Sequence, residues 1–125
     1  MNKKSIVFFA AMFLVSCVST GFQRNNITDV YVADFGSEDI KHCRPSDVDL
    51  NHNEAKDFFL RAKKVEYKII HDHYNYAPCY IEGTLKYKSL ICEWEIRAGA
   101  TGDIKCGKDT KYFVCDTCDD LFKTK

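Results

Sequence analysis

Cysteines constrain this chain more than any other residue type: seven occur in 125 residues. Cys43, Cys79, Cys92, Cys106, Cys115 and Cys118 form one group, and Cys17 stands apart at the end of an apolar N-terminal stretch. An even set of six in a domain of about a hundred residues reads as a disulfide framework built in an oxidising compartment. A core this small gains from it, since each disulfide typically adds about 2–4 kcal/mol by restricting the unfolded chain. Six cysteines allow fifteen pairings. Cys92–Cys106 is favoured because both fall on the same face of adjacent expected strands. Cys43 is placed to pin an N-terminal loop to the sheet or to the Cys115/Cys118 region.

Two other chemistries compete for the same residues. Cys115-Asp116-Thr117-Cys118 is a CxxC. Reactive CxxC pairs lower a thiol pKa with a helix N-terminus and nearby cations. Here Asp116, Asp119 and Asp120 surround the pair and act the other way. A tetrahedral zinc site could draw on Cys106, Cys115 and Cys118 with Cys92 or a histidine, but structural zinc usually shows two such knuckles and this chain has one. Disulfides therefore account best for the set, and no cofactor is expected.

The pattern between the cysteines predicts an α+β domain: one amphipathic helix packed on an antiparallel sheet of about four strands. Residues 29–35 alternate weakly, as an edge strand does. Residues 36–50 read as loop. Asn51 or Asn53 is suited to cap a helix whose first turn carries Glu54 and Asp57. Ala55, Phe58, Phe59, Ala62 and Val65 recur at helical spacing and form its buried face. Val65–Ile70 is expected to leave the helix as an extended segment. Residues 78–87 alternate, with Cys79, Ile81, Leu85 and Tyr87 on one face. Residues 90–98 alternate more cleanly: Leu90, Cys92, Trp94 and Ile96 face in, Glu93, Glu95 and Arg97 face out. Lys88-Ser89 joins these two strands. Residues 99–103 read as a turn cluster. A second hairpin follows, with residues 104–106 and 111–115 around a tip at Gly107-Lys108-Asp109. Residues 116–122 suit one helical turn.

The N-terminus is of another kind. Lys3 and Lys4 precede an apolar run from Ser5 to Val15. That run is too short to span a bilayer, which needs about 20 apolar residues, and has the length of a signal-peptide core. Leu14-Val15-Ser16-Cys17 then resembles the lipobox of bacterial lipoproteins. The resemblance covers residues 1–17. It implies acylation of the Cys17 thiol, cleavage after Ser16 and acylation of the new amino terminus. Several acyl chains anchor firmly, where one holds only marginally. Residues 1–16 are thus a signal peptide, 17–28 a lipidated N-terminus and tether, and 29–125 a single globular domain. Val18, rather than an aspartate, follows the cysteine. By analogy with lipoprotein sorting in two-membrane bacteria, this favours the outer membrane, facing the periplasm, over the inner one. Lipid on Cys17 also leaves six cysteines, an even number that can pair fully. Residues 78–122 resemble small cysteine-containing bacterial lipoproteins, a resemblance that attaches no activity.

Charge narrows the partners. The chain carries 18 basic and 18 acidic residues; without Lys3 and Lys4 the remainder is slightly acidic. Such a domain lacks the basic footprint of a nucleic-acid binder. The three tyrosines Tyr74, Tyr76 and Tyr80 cluster around Pro78 and are the candidate partner-binding residues, because tyrosine buries contact area at little entropic cost. His71 and His73 would share a face on a strand and, with His52 or His42, offer a metal site. They read more simply as polar loop residues. Glu93 and Glu95, two apart on a strand, are separated by roughly 6–7 Å, a spacing used in glycoside hydrolysis, with Glu82 on the neighbouring strand. A solvated face, with Glu82 or Lys86 paired to Arg97, is the simpler account. The chain has no Ser nucleophile elbow, P-loop or GxGxxG motif. The expected function is therefore a membrane-anchored envelope lipoprotein that acts as a non-enzymatic interaction, inhibitor or immunity-type module. The alternatives are a hydrolase of envelope glycan or peptide using Glu93 and Glu95, and a periplasmic metal or redox factor. Replacing Cys17 by Ser is expected to abolish incorporation of a labelled fatty acid and to leave an unprocessed or soluble form; unchanged labelling of the membrane fraction would contradict the anchor.

Overall fold

Alternation along two neighbouring segments builds the centre of the sheet. In a computed structural model of the chain, which describes residues 21–74 and 77–122, strand β3 (Cys79–Tyr87) pairs antiparallel with β4 (Leu90–Arg97). Residues 1–16, Cys17 and Tyr76 lie outside the described residues. The register sets Ile81 opposite Ile96, Gly83 opposite Trp94 and Leu85 opposite Cys92, so the inward side chains meet in pairs. Lys88 and Ser89 join the strands with φ values of 51° and 70°. Two positive values in a two-residue turn match the twist of the strands they connect. Leu90, expected to face in, is 61% exposed, because the hairpin runs past the last core layer at Leu85 and Cys92.

The second hairpin joins β5 (Thr101–Cys106) to β6 (Asp109–Val114). It is longer than expected: Thr101, Gly102 and Asp103 belong to β5 and not to a turn. The turn is confined to residues 98–100, where Ala100 has φ 63°. Gly102 is a close-approach glycine. A Cβ there would stand 2.7 Å from the Glu95 carbonyl oxygen and 3.1 Å from the Phe58 ring, so its lack of a side chain lets a helix settle on the strand.

The sheet has six strands, ordered β1-β3-β4-β5-β6-β2, and not about four. One edge is the strand expected at 29–35, here longer; the other was not expected. Strand β1 (Ile27–Ser37) pairs with β3 through two register shifts, irregularities that bend an edge and blur its alternation. Strand β2 (Lys63–Val65) has three residues on β6, too few to show a period. The folded part also begins before the expected boundary. Phe22 stacks on Tyr87 at 4.8 Å and meets Phe113 edge-on. Arg24–Asn26 form a 3-10 turn, and Ile27 is buried. Residues 22–28 are thus structure rather than tether.

Helix α1 (His52–Arg61) covers the inner face. Asn51 accepts from the Glu54 amide at 2.9 Å while Glu54 accepts from the Asn51 amide at 3.0 Å, a reciprocal cap. Ala55, Phe58 and Phe59 are buried. Phe59 meets Trp94 and Phe113 edge-on. Ala62 ends the helix, so Val65 lies on β2 and not on the helical face. Arg61 bonds Asp57, Asp120 and the Thr117 carbonyl, tying α1 to the C-terminal turn α3 (Asp119–Phe122).

Residues 67–70, expected to be extended, and 71–73, read as loop, form a second helix, α2 (Tyr67–His73). Tyr67, Ile70 and Tyr74 recur at i, i+3 and i+7, a helical spacing. The helix lies against the outer face of the sheet, the face turned away from α1, with the Tyr67 ring 5.1 Å from that of Tyr112.

Three disulfides strap this frame. Cys92–Cys106 joins β4 to β5 one position beyond the Glu93–Lys105 pair. Its Cα separation of 4.6 Å is that of a directly opposed, non-hydrogen-bonded pair. Cys43–Cys79 pins the loop after β1 to the first residue of β3, which selects the sheet over the Cys115/Cys118 region as the partner of Cys43. Cys115 and Cys118 bond each other. The bonds close segments with separations of 36, 14 and 3 residues for Cys43–Cys79, Cys92–Cys106 and Cys115–Cys118. Chain entropy then ranks them at about 4, 3 and 1.5 kcal/mol. Double Cys→Ala variants followed by urea unfolding are expected to lose stability in that order.

Candidate functional site

Antiparallel register assembles a charged row on the outer face. Glu82 of β3 stands opposite Glu95 of β4, Glu95 opposite Asp103 of β5, and Asp103 opposite Tyr112 of β6. Like charges directly opposed are unfavourable. Arg97, two residues along from Glu95, offsets them. Its Nε donates to Glu95 Oε2 at 2.9 Å, one Nη donates to Glu38 Oε1 at 2.8 Å, and the other donates to the Ala77 carbonyl at 3.0 Å. Its guanidinium lies over the Tyr80 ring, 4.8 Å from the centroid. One planar fork thus joins β4 to the loops that follow β1 and precede β3.

Between this row and α2 lies a cleft of about 690 Å³. Glu95, Arg97, Asp103 and Lys105 form its floor; Tyr67, His71, Tyr74 and Tyr112 stand at its sides. Tyr74, at the C-terminal end of α2, donates to Asp116 Oδ1 at 2.7 Å, and Lys63 lies 3.4 Å from the same carboxylate. That contact closes one end. It holds the Tyr74 hydroxyl above its ordinary pKa and the Asp116 carboxyl below its own.

Asp103 is the perturbed group of the floor. Burial, followed by the charge of Glu95, pushes its pKa up to about 6 against Lys105 and Arg97, which pull it down. The row therefore carries a carboxyl that takes up a proton near neutral pH beside one held by an arginine.

The structure sorts the sequence candidates. Glu95 lines the cleft; Glu93 does not, standing exposed between Thr84 and Lys105. Glu82 lies in the row between Glu95 and Asp34 of β1. Arg97 pairs with Glu95 and Glu38, and Lys86 pairs with Asp29. Tyr74 borders the cleft, whereas Tyr80 packs over Arg97 and beside Gly36. The two tyrosines thus belong to different contacts rather than to one loop surface. His71 and His73 are helical, and residues two apart on a helix diverge. His52 accepts from the Val32 amide at 2.9 Å, and His42 bonds Asp39 at 2.6 Å, so the four histidines do not converge. The cysteines of the zinc reading sit in separate disulfides, and Cys115 and Cys118 are buried.

Asp103, Tyr67 and Tyr112 are the members that sequence reasoning missed. Extending the β4–β5 ladder one turn closer to Ala100 puts Asp103 opposite Glu95, and the helical spacing of Tyr67, Ile70 and Tyr74 points to α2.

The proton affinity of Asp103 predicts a pH dependence. Between the ordinary value of 3.8 and about 6, the folded state keeps a proton that the unfolded chain has lost. Stability therefore falls as pH rises through that window and is flat above it. Asp103→Asn removes this loss and is expected to stabilise the domain at pH 7 by about 1–2 kcal/mol, after discounting for partial solvent access. The gain is expected to shrink toward pH 4; thermal melts of both forms across pH 4–7 measure it. Comparison with protein-family models, with curated proteins and with solved structures finds no match to this chain.

Proposed function

We propose that this chain is a lipid-anchored module of the bacterial cell envelope that binds a partner without turning it over, and that the partner occupies the cleft between α2 and the outer face of the sheet. The Leu14-Val15-Ser16-Cys17 motif supports the anchor, and Val18 supports an outer-membrane destination. Three disulfides suit the oxidising side of a membrane.

The observation that carries the binding role is the state of Arg97. Its donors are committed to Glu95, Glu38 and the Ala77 carbonyl, on a sheet strapped by disulfides. A floor held this way stays fixed as a ligand arrives, and the tyrosines beside it supply area. Concave sites with aromatic walls and a few fixed polar groups are the usual form of recognition sites.

A second reading, hydrolysis of envelope glycan or peptide, has one specific observation in its favour: Asp103, with its pKa pushed up to about 6, faces Glu95. A carboxyl with a raised proton affinity beside a second carboxyl suits acid–base work. The pair would be Glu95 and Asp103, since Glu93 lies outside the cleft.

A photo-crosslinking residue placed at Lys105 of the full-length protein in its own envelope is expected to trap one defined partner. Tyr67→Ala and Tyr112→Ala should lower the yield about tenfold, and the same crosslinker at Asn53, exposed on α1 across the sheet, should trap nothing. An empty result at Lys105 would sink the binding site. Release of sugar or peptide fragments from purified cell wall by the wild type, lost in Asp103→Asn, would establish the hydrolase in its place.

A further inference from the structure

One end of the sheet gathers features that the cleft leaves unused. The β3–β4 turn at Lys88-Ser89 and the β5–β6 turn at Gly107-Lys108 lie at the same end, because the strands alternate in direction. Just past the first turn, Leu90 and Ile91 are 61% and 72% exposed. Two adjacent strand residues point to opposite faces, so neither face covers the tip. Lys88 and Lys108, both exposed, flank these aliphatic side chains.

The chain enters the fold at this same end. Phe22 stacks on Tyr87 and shares a small hollow with Leu90, Cys106 and Asp109. Phe22 lies five positions after Cys17, a reach of at most about 17 Å. A lipid anchor on Cys17 would therefore hold this end, and no other, against the bilayer. Strand β3, nine residues long, puts the opposite end about 26 Å further away. Arg97, Thr101 and Tyr74 of the cleft lie toward that distant end.

We infer that the Lys88–Ile91 tip is a membrane foot: Leu90 and Ile91 enter the interfacial region of the bilayer while Lys88 and Lys108 meet anionic headgroups. Aliphatic side chains beside lysines are the composition that settles at a membrane interface. The charge is too sparse to recruit the domain alone, so the foot acts after the lipid has tethered it. It fixes the orientation of the domain and turns the cleft away from the membrane. This inference rests on lipidation of Cys17, which the proposed function includes.

The test uses the full chain, acylated in a bacterial host and reconstituted into vesicles of phosphatidylethanolamine and phosphatidylglycerol. Three variants carry one added tryptophan each: Leu90→Trp, Ile91→Trp, and Ile40→Trp as a control. Ile40 is 74% exposed in the loop beyond the distant end of β1. The emission of buried Trp94, measured in the unsubstituted chain, is subtracted. Brominated lipids are expected to quench the tip variants about threefold more than the control, with a blue shift on vesicle binding. Equal quenching at tip and control in an acylated, vesicle-bound protein overturns the foot and leaves the anchor standing. A tip protected only by self-association, seen as a concentration-dependent dimer, overturns it too and assigns the patch to a second copy. Absence of acyl chains on Cys17 removes the anchor and the foot together.

Discussion

The pairing of β3 with β4 is the constraint on which the rest of this fold depends. Trp94 stands opposite Gly83, its indole N–H donates to the Thr84 carbonyl at 2.9 Å, and its ring meets Phe59 of α1. A slip of one residue would turn every side chain to the other face. Trp94 and Ile96 would be brought to solvent, and Glu95 and Arg97 would be buried under the helix. The same register that fills the core therefore builds the charged row outside it. Gly83 adds to this constraint, because a Cβ there would collide with the Tyr31 carbonyl oxygen. The bulged edge strand β1 closes directly over that glycine.

Core and cleft are two faces of one sheet, and their energetics differ. On the inner face, Phe58, Phe59, Phe113 and Trp94 meet edge-on, an arrangement that aromatic quadrupoles favour beyond simple burial. On the outer face, Asp34, Glu82, Glu95 and Asp103 stand in one cross-strand row, with Arg97 and Lys105 beside it. The imbalance shows in Asp103, which keeps its proton to a higher pH than an ordinary aspartate. A folded domain tolerates such a group where the surrounding frame is rigid, and groups of this kind concentrate at functional sites. Here the frame is held by the Cys92–Cys106 strap and by the three-way contact of Arg97.

The two ends of the sheet divide the work of the molecule in the proposed arrangement. The N-terminal entry, the Lys88-Ser89 turn and the exposed aliphatic pair share one end. The Tyr74–Asp116 closure and the Arg97 fork share the other. Antiparallel topology produces this separation directly, because alternate connections of a meander fall at opposite ends.

Much of the domain was legible from local pattern. The capped helix at 52–61, the two hairpins, the inward set from Ile81 to Ile96, the six-cysteine framework and the Cys92–Cys106 pair all follow from periodicity or turn chemistry, which repeat within one segment. The motif ending at Cys17 is likewise local, and it carries the expected anchor. Other features were decided only by tertiary contacts. Strand β2 exists because β6 presents an open edge to three residues, and the full length of β1 rests on its pairing with β3. Helix α2 has a helical spacing of its own, but its place on the outer face of the sheet comes from the contact of Tyr67 with Tyr112. The choice of Cys79 for Cys43, the entry of Asp103 into the cleft and its high proton affinity depend on neighbours remote in sequence. Periodicity reports which face of a segment is buried; which segment lies opposite, and what charge it brings, is settled only when the strands pair.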